Sequence, residues 1–357
     1  MFVATAPTID DLLGKLERIA GVSNDAYARA GVDQEVADSA VAGLVKALGA
    51  IQLGRPSRQV PLPGHYASVI KLDERTGIAL STDGVGTKLL VAEQLGRFDT
   101  IGIDCVAMNV NDVICVGAEP LAMLDYIAID HADPAVCAEV GVGLARGAEL
   151  AGVEIPGGEL AQLGEMVRGV DVSGACFGTV ALDAIIDGSA VQAGDVVIGL
   201  PSSGLHSNGY TLARAALEGI SLDEDPEGRL GRLLGEELLE PTEIYVKPIL
   251  ELLRSEVEVH GLAHLTSGGL GNLLRLAADV GYEIDDPLPT LPIFALIQER
   301  SGAAEEEMHD VFNMGCGFCC VVPEKDEART LDLLRGHYPL AKRIGRAVAG
   351  LHEVRRA

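Results

Sequence analysis

Apolar residues recur at helical spacing from Gln34 to Leu48 with few breakers, which predicts a helix there. Gly54, Pro56, Pro61, Pro63 and Gly64 mark residues 50–66 as loop or linker. From about Thr76 to Thr82 the pattern is that of a strand running into a glycine-rich turn. An apolar segment follows from Ile101 and ends in Asn109-Val110-Asn111-Asp112. Leu121 to Asp130 reads as a strand, and Pro134 to Ala151 as a helix closed by Gly152. A fresh series starts after Asp187-Gly188-Ser189, with Gly194-Asp195 leading into the apolar run Val196 to Leu200. That restart places a domain boundary near residue 184, giving units 1–184 and 185–357. The second unit opens with a glycine- and serine-rich loop, Pro201 to Tyr210, and Ser221 to Gly235 is its expected exposed loop. The mixed order of elements argues for an α+β fold built of α/β layers. No short-period repeat or low-complexity tract is present.

Composition narrows the class. The 357 residues suffice for two cores, and 48% hydrophobic content with 43 glycines describes a globular, turn-rich chain. No run approaches the roughly 18 apolar residues that span a bilayer. Met1 to Asp11 carries acids and no basic segment before an apolar stretch, unlike a signal peptide, so a cytoplasmic protein without a membrane partner is expected. The net charge of −26 argues against nucleic acid, which is gripped through Lys and Arg. An anionic substrate then needs local positive charge or a metal. Scarce lysine beside abundant acids and arginine suits a saline cytoplasm, or equally an ordinary acidic protein with an Arg-rich codon bias. The seven cysteines are scattered among apolar residues and read as small buried hydrophobes; the C-x-x-C at Cys316–Cys319 lacks a second pair or nearby His.

Candidate chemistry concentrates in Ser81-Thr82-Asp83-Gly84-Val85-Gly86-Thr87-Lys88. Asp83 offers oxygen to a divalent cation, Gly84 and Gly86 free backbone N–H groups for phosphate, and Lys88 a point cation. The same Asp-Gly pair is also a common hairpin turn, and the Walker spacing is absent. Further acids recur where apolar runs end. Asp104 lies within Gly102-Ile103-Asp104-Cys105-Val106, Asn111-Asp112 follows an apolar run as Asp83 does, and Gly157-Gly158-Glu159 repeats turn plus acid. Acids at several strand ends form a multi-oxygen magnesium site if they converge; each is otherwise a helix N-cap. Ser202 to Tyr210 combines small donors, glycines and His206, a loop able to wrap phosphate or to cap the following helix. His264-Leu265-Thr266-Ser267-Gly268-Gly269-Leu270-Gly271 is a second anion-friendly loop, and Phe312 to Gly317 leads into a strand.

Together these segments resemble one family, phosphoribosylformylglycinamidine cyclo-ligase (aminoimidazole ribotide synthetase). The matching pieces run in order from Tyr27 to Asp33, Asp83 to Lys88, Ile101 to Asp104, Val106 to Asp112, Gly117 to Leu121 and Leu124-Asp125-Tyr126. They continue through Gly157-Gly158-Glu159, Ser202 to Tyr210, Pro241 to Lys247, His264-Leu265-Thr266 and Phe312 to Gly315. The resemblance implies a two-domain PurM-like fold whose N-terminal strands form a barrel across a homodimer. It implies ATP-dependent closure of formylglycinamidine ribonucleotide to 5-aminoimidazole ribonucleotide in purine synthesis, with ATP and Mg2+. By carry-over Asp83, Asp112 and Glu159 are metal ligands, and Lys88 and His206 catalytic. Gly84, Gly86, Thr87, Asp104, Asn111, Asp125, Ser203, Ser207, Asn208, Tyr245 and Thr266 contact ATP or substrate. Two stretches depart from the pattern. Leu160 and Gln162 stand where the family usually has Thr and Glu, and Pro61 to Ala67 replaces a Gly-Gly-Phe-Gly segment. Other ATP-using members of the superfamily, of the thiamine-phosphate kinase or selenophosphate synthetase kind, and a non-catalytic nucleotide-binding paralogue are the alternatives.

Overall fold

A computed structural model describes Ala26 and residues 34–356; the expected Tyr27 to Asp33 motif and the Met1 to Asp11 segment lie outside the described residues. Two six-stranded sheets dominate. The first contains β1 (Gln59–Val60), β2 (Ser68–Lys71), β3 (Thr76–Gly84), β4 (Glu119–Ile129), β5 (Glu154–Gln162) and β6 (Val170–Ala181), in the order β1-β2-β3-β6-β4-β5. The second contains β7 (Val196–Pro201), β8 (Gly261–His264), β9 (Val280–Ile284), β10 (Cys316–Val322), β11 (Lys342–Ala349) and β12 (Val354–Arg356), in the order β12-β9-β11-β7-β10-β8.

Between residues 34 and 184 the α-helices are α1 (Gln34–Gly49), α2 (Leu89–Leu95), α3 (Ile101–Cys115) and α4 (Pro134–Ala151). The start of α4 is set by Asp133, whose carboxylate accepts the Ala135 N–H at 2.8 Å, and by Pro134 at the first helical position. Gly152, at φ 77°, ends the helix in the left-handed conformation. Helices α3 and α4 cross at a glycine contact, where a Cβ on Gly102 would lie 2.0 Å from the Leu144 nitrogen. The β4–α4–β5 crossover returns β5 parallel to β4.

Strand β6 shows why the sheet has two different faces. Val172, Gly174, Cys176, Gly178 and Val180 are buried beneath α3, while Ser173, Ala175, Phe177 and Thr179 alternate with them on a half-buried outer face. That outer face also carries the exposed Ile70, Leu124 and Tyr126.

Two expectations are corrected. Asp104, Asn111 and Asp112 do not stand at strand ends: they lie on α3, which is buried along nearly its whole length. A helix enclosed between a sheet, a neighbouring helix and the second half of the chain turns no polar stripe to solvent, so the usual amphipathic period fades from the sequence. Gly157-Gly158-Glu159 is not a turn but the middle of β5, an exposed edge strand. Glycine pairs on an edge read as turn punctuation, although here one glycine makes room for a neighbour's side chain. No described helix is long and apolar enough to cross a membrane.

The two halves share a polar seam along α3. Asn111 donates its amide to the Glu243 carbonyl at 2.8 Å and accepts the Tyr245 N–H at 3.0 Å. Tyr66 donates its hydroxyl to the Asn272 carbonyl at 2.9 Å. Arg275 bonds the Gly64 and His65 carbonyls and lies 4.1 Å from the centre of the Tyr66 ring.

Candidate active site

The Asp83 loop is not a hairpin. Gly84 stays in strand register opposite Ser173, Val85 donates to the Val172 carbonyl, and the chain turns at Gly86 (φ 71°) into a single 3-10 turn, Gly86–Lys88. The strand end is pinned by Asn109 on α3. Its Oδ1 accepts the Asp83 N–H at 3.0 Å, and its Nδ2 donates to the Asp83 carbonyl at 3.2 Å. The Asp83 carboxylate thereby faces α3, where Asp112 lies one turn further along. Burial pushes the Asp83 pKa up, and the nearby Asp112 charge adds to it; His264 and Arg275 oppose the rise. Asp112 is itself oriented by His264, with Oδ1 2.9 Å from Nδ1, and the fully buried His264 ring also lies 3.5 Å from the Asn111 amide.

This pair of carboxylates fits a hard cation. Two mutually repelling oxygens at a half-buried sheet edge gain from a divalent ion, and magnesium characteristically takes one or two protein carboxylates and completes its shell with water and phosphate. Among the described residues no group of three or more His, Cys, Asp or Glu side chains forms a complete cage.

Glu159 is not part of this pair. Asp83, Gly174, Asp125 and Gly158 form one cross-strand row, and Glu159 pairs with Tyr126 in the next row. Successive rows point to opposite faces, so Glu159 lies on the outer face of the sheet, away from Asp83 and α3. Asp125 does share the Asp83 face, two strands across. It lies so close over Gly158 that a Cβ there would come within 2.2 Å of Oδ1, and burial raises its pKa.

A second polar node adjoins the first. Lys88 and Asp104 form an ion pair at 2.8 Å with neither side chain exposed. The Lys88 ammonium also donates to the Glu240 carbonyl at 2.6 Å and the His206 carbonyl at 3.3 Å. Asp104 accepts from the Thr242 N–H and hydroxyl, both at 2.7 Å, and from the Ser207 hydroxyl at 3.1 Å. Burial lowers the Lys88 pKa against the opposing pull of Asp104. Lys88 was expected to meet phosphate, but its three protons have three acceptors inside the protein. Asp104 and Tyr245 likewise face inward: Tyr245 is fully buried and donates to the Pro201 carbonyl at 2.8 Å.

The 202–210 loop wraps this node. His206 has φ 64°, accepts the Ser203 N–H at Nε2 and finds no partner for Nδ1; burial, then His264 and Lys88, holds its pKa well below the usual imidazole value. Ser203 donates to the Pro241 carbonyl, and Asn208 accepts the Ser267 hydroxyl at 3.1 Å. Thr266 bonds the Asn272 side chain through both its N–H and its hydroxyl. Gly86 and Thr87 are exposed above these groups. All seven cysteines are free, with the Cys316 and Cys319 sulfurs 3.7 Å apart in the core. A surface cleft of about 510 Å³ lined by Arg75, Thr76, Glu119, Thr179 and Asp183 lies at the opposite end of β3 and β6.

Two family models match, "AIR synthase related protein, N-terminal domain" over residues 64–180 and "AIR synthase related protein, C-terminal domain" over 192–356. A Pyrococcus furiosus protein named phosphoribosylformylglycinamidine cyclo-ligase is 49% identical over 87% of this chain and 92% of its own length. One of the same name from Methanothermobacter thermautotrophicus is 47% identical over 86% of this chain and 90% of its own length. The chain belongs to the phosphoribosylformylglycinamidine cyclo-ligase family. Among solved structures, the HypE–HypF complex matches at TM-score 0.62 and 20% identity, over 88% of this chain and 95% of that one. HypE in complex with ATP matches at TM-score 0.59 and 19% identity, over 81% of this chain and 84% of that one. These likenesses establish the two-domain PurM-like α+β fold for the cyclo-ligase chain.

Sequence reasoning missed several residues of the cyclo-ligase seam. Asn109, Thr242 and His264 lie inside motif segments; the role of Asn109 appears only when α3 is seen to cross β3, and those of Thr242 and His264 only when α3 is seen to face the second half. Arg275 belongs to no motif, and no local signal marks it.

Proposed function

We propose that this chain closes the imidazole ring of 5-aminoimidazole ribonucleotide, consuming ATP and formylglycinamidine ribonucleotide and releasing ADP and phosphate. The observation that carries the reading is 47–49% identity, over about nine-tenths of their length, to proteins named for this activity. The formyl oxygen attacks the γ-phosphorus as its bond to the β-phosphate oxygen breaks. The ribosyl-bound nitrogen then adds to the formyl carbon, and loss of phosphate and a proton leaves the aromatic ring.

Asp83 and Asp112 would hold Mg2+, which supplies neutralisation of charge on the transferring phosphoryl group. The exposed Gly86 N–H and Thr87 hydroxyl are placed to meet phosphate oxygens. His206 accepts at Nε2 and so carries its proton at Nδ1, enclosed within the protein, so its part is to shape the Ser203–Asn208 loop around the formyl end of the substrate. Asp125, Ser203, Ser207 and Asn208 surround the remaining polar groups of the substrate, with Asn111 and Thr266 fixing the backbone beneath them. A unit boundary near residue 184 is supported by the gap between the last strand of one sheet, ending at Ala181, and the first of the other, starting at Val196. We read the exposed Ile70, Leu124 and Tyr126 as one side of a homodimer barrel, since an open apolar sheet face of this kind is otherwise left in water. A cytoplasmic location accords with a substrate made and used there.

Purified protein incubated with ATP, Mg2+ and formylglycinamidine ribonucleotide is expected to yield aminoimidazole ribonucleotide and phosphate in equal amounts. ATP-binding protein that forms no aminoimidazole ribonucleotide would overturn the assignment.

A further inference from the structure

We infer that Lys88 is a positioning residue that holds the His206 loop in place, and not a cation that touches phosphate. The inference rests on the proposed cyclisation only for which step it serves. Lys88 Nζ is enclosed, with no exposed side-chain surface, and points away from the exposed Gly86–Thr87 backbone toward the second half of the chain. One of its protons goes to Asp104 and two cross the seam, to the His206 and Glu240 carbonyls. Asp104 grips the same loops from the other side, through Ser207 and Thr242.

His206 needs such a grip. Its φ of 64° is in the left-handed region that a residue with a Cβ avoids, and persists only where surroundings over-determine it. The loop is fixed on both flanks of that residue: Asn313 donates to the Gly204 carbonyl at 2.9 Å, and Ser207 donates to Asp104. The carbonyl of His206 itself is held by Lys88. Removing that donor frees the one peptide whose orientation sets the imidazole, without touching any phosphate-facing group.

The test compares Lys88→Met with the double variant Lys88→Met/Asp104→Asn. The single change strands a buried carboxylate and is expected to lower the melting temperature; the double change removes the charge as well and is expected to recover most of it. If Lys88 positions His206, the double variant regains stability yet keeps kcat down roughly 100-fold, with the ATP Kd unchanged. Recovery of kcat together with stability would show a merely structural ion pair and overturn the inference. A tenfold rise in ATP Kd would overturn it in favour of phosphate contact.

Two measurements do not depend on turnover. In ring-labelled protein the His206 NMR signals are expected to shift between wild type and double variant, while those of the distant His260 stay put; an unmoved His206 refutes positioning. In the wild type, acetylation by N-hydroxysuccinimide acetate is expected to modify the exposed Lys71 and Lys325 and spare Lys88 with or without ATP. Lys88 that reacts in free protein and is shielded by ATP refutes the inference even if the variants fail to fold. Absence of product from wild type would instead sink the cyclisation reading alone.

Discussion

Tyr245 offers a sharp separation of packing from substrate contact. Its fully buried ring packs among aromatics, with centroids 5.2 Å from the buried Phe318 and 5.5 Å from the half-buried Tyr338. Its hydroxyl donates to the Pro201 carbonyl at 2.8 Å, at the base of the His206 loop. Burial holds its pKa well above the ordinary phenol value, so the group stays a neutral donor across any practical assay pH. Tyr245→Phe keeps every ring contact and deletes one hydrogen bond. A buried neutral bond contributes about 1 kcal/mol net, and leaving its acceptor short raises the cost to about 1–2 kcal/mol. For a domain of this size that corresponds to a fall of about 3–6 °C in melting temperature. Urea melts should show a lower midpoint with an unchanged slope, because the surface exposed on unfolding is the same. KM for ATP and for formylglycinamidine ribonucleotide should stay within about twofold of wild type, as expected for a residue that makes no substrate contact. Wild-type stability together with a tenfold rise in either KM would refute the packing role and return Tyr245 to the substrate site.

Other perturbations test the electrostatics. Asp83→Asn is expected to abolish turnover and weaken Mg2+ binding while raising the melting temperature at pH 7. A carboxyl whose folded pKa is raised binds its proton more tightly in the native state, so its contribution to stability falls as pH climbs through that range. The gain should therefore vanish as pH drops toward the unfolded value, and a near-normal rate would remove Asp83 from the metal site. His260 behaves in the opposite sense. Burial opposes its charge, but Asp195 at 2.7 Å and Glu258 at 3.3 Å prevail and raise its pKa. Its contribution is full below the unfolded imidazole pKa and lost as pH rises through the higher folded one, so His260→Gln should cost more melting temperature at pH 6 than at pH 9; equal losses would refute it. With a net charge of −26, molar salt should raise the melting temperature, and no change would exclude a screening contribution.

How far the fold was legible depends on how each element is buried. α4 was readable to the residue because its signals are local: an Asp cap, a Pro at the first position and a closing glycine. β3 and β4 were readable because a sheet with one covered face keeps its alternation. α3 was not, because burial on all sides erases the period that would reveal it. β5 failed for a different reason. Gly158 is there to clear the Asp125 carboxyl, and a glycine whose cause lies on another strand looks in sequence like a turn.

The same distinction governs the site. Each loop announced its own chemistry, since acids, glycines and hydroxyls beside one another say what a segment is able to bind. Which of them meet was not local information. Asp83 and Asp112 are brought together by Asn109, a residue whose role depends on the angle at which α3 crosses β3. Glu159 is carried to the far face by a displacement of one residue in strand register. Lys88 sits five residues from Asp83 yet turns to the other side of the 3-10 turn, where Asp104 and two carbonyls from the second half take its charge. A glycine-rich loop with an acid and a lysine thus divides its labour. Asp83 turns toward α3 and Asp112 and Gly86 is exposed, while Lys88 ties the first half to the His206 and Glu240 carbonyls of the second. Folding the second half onto α3 is then what completes the site, and a chain lacking residues 185–357 should hold Asp83 in its strand without binding ATP productively.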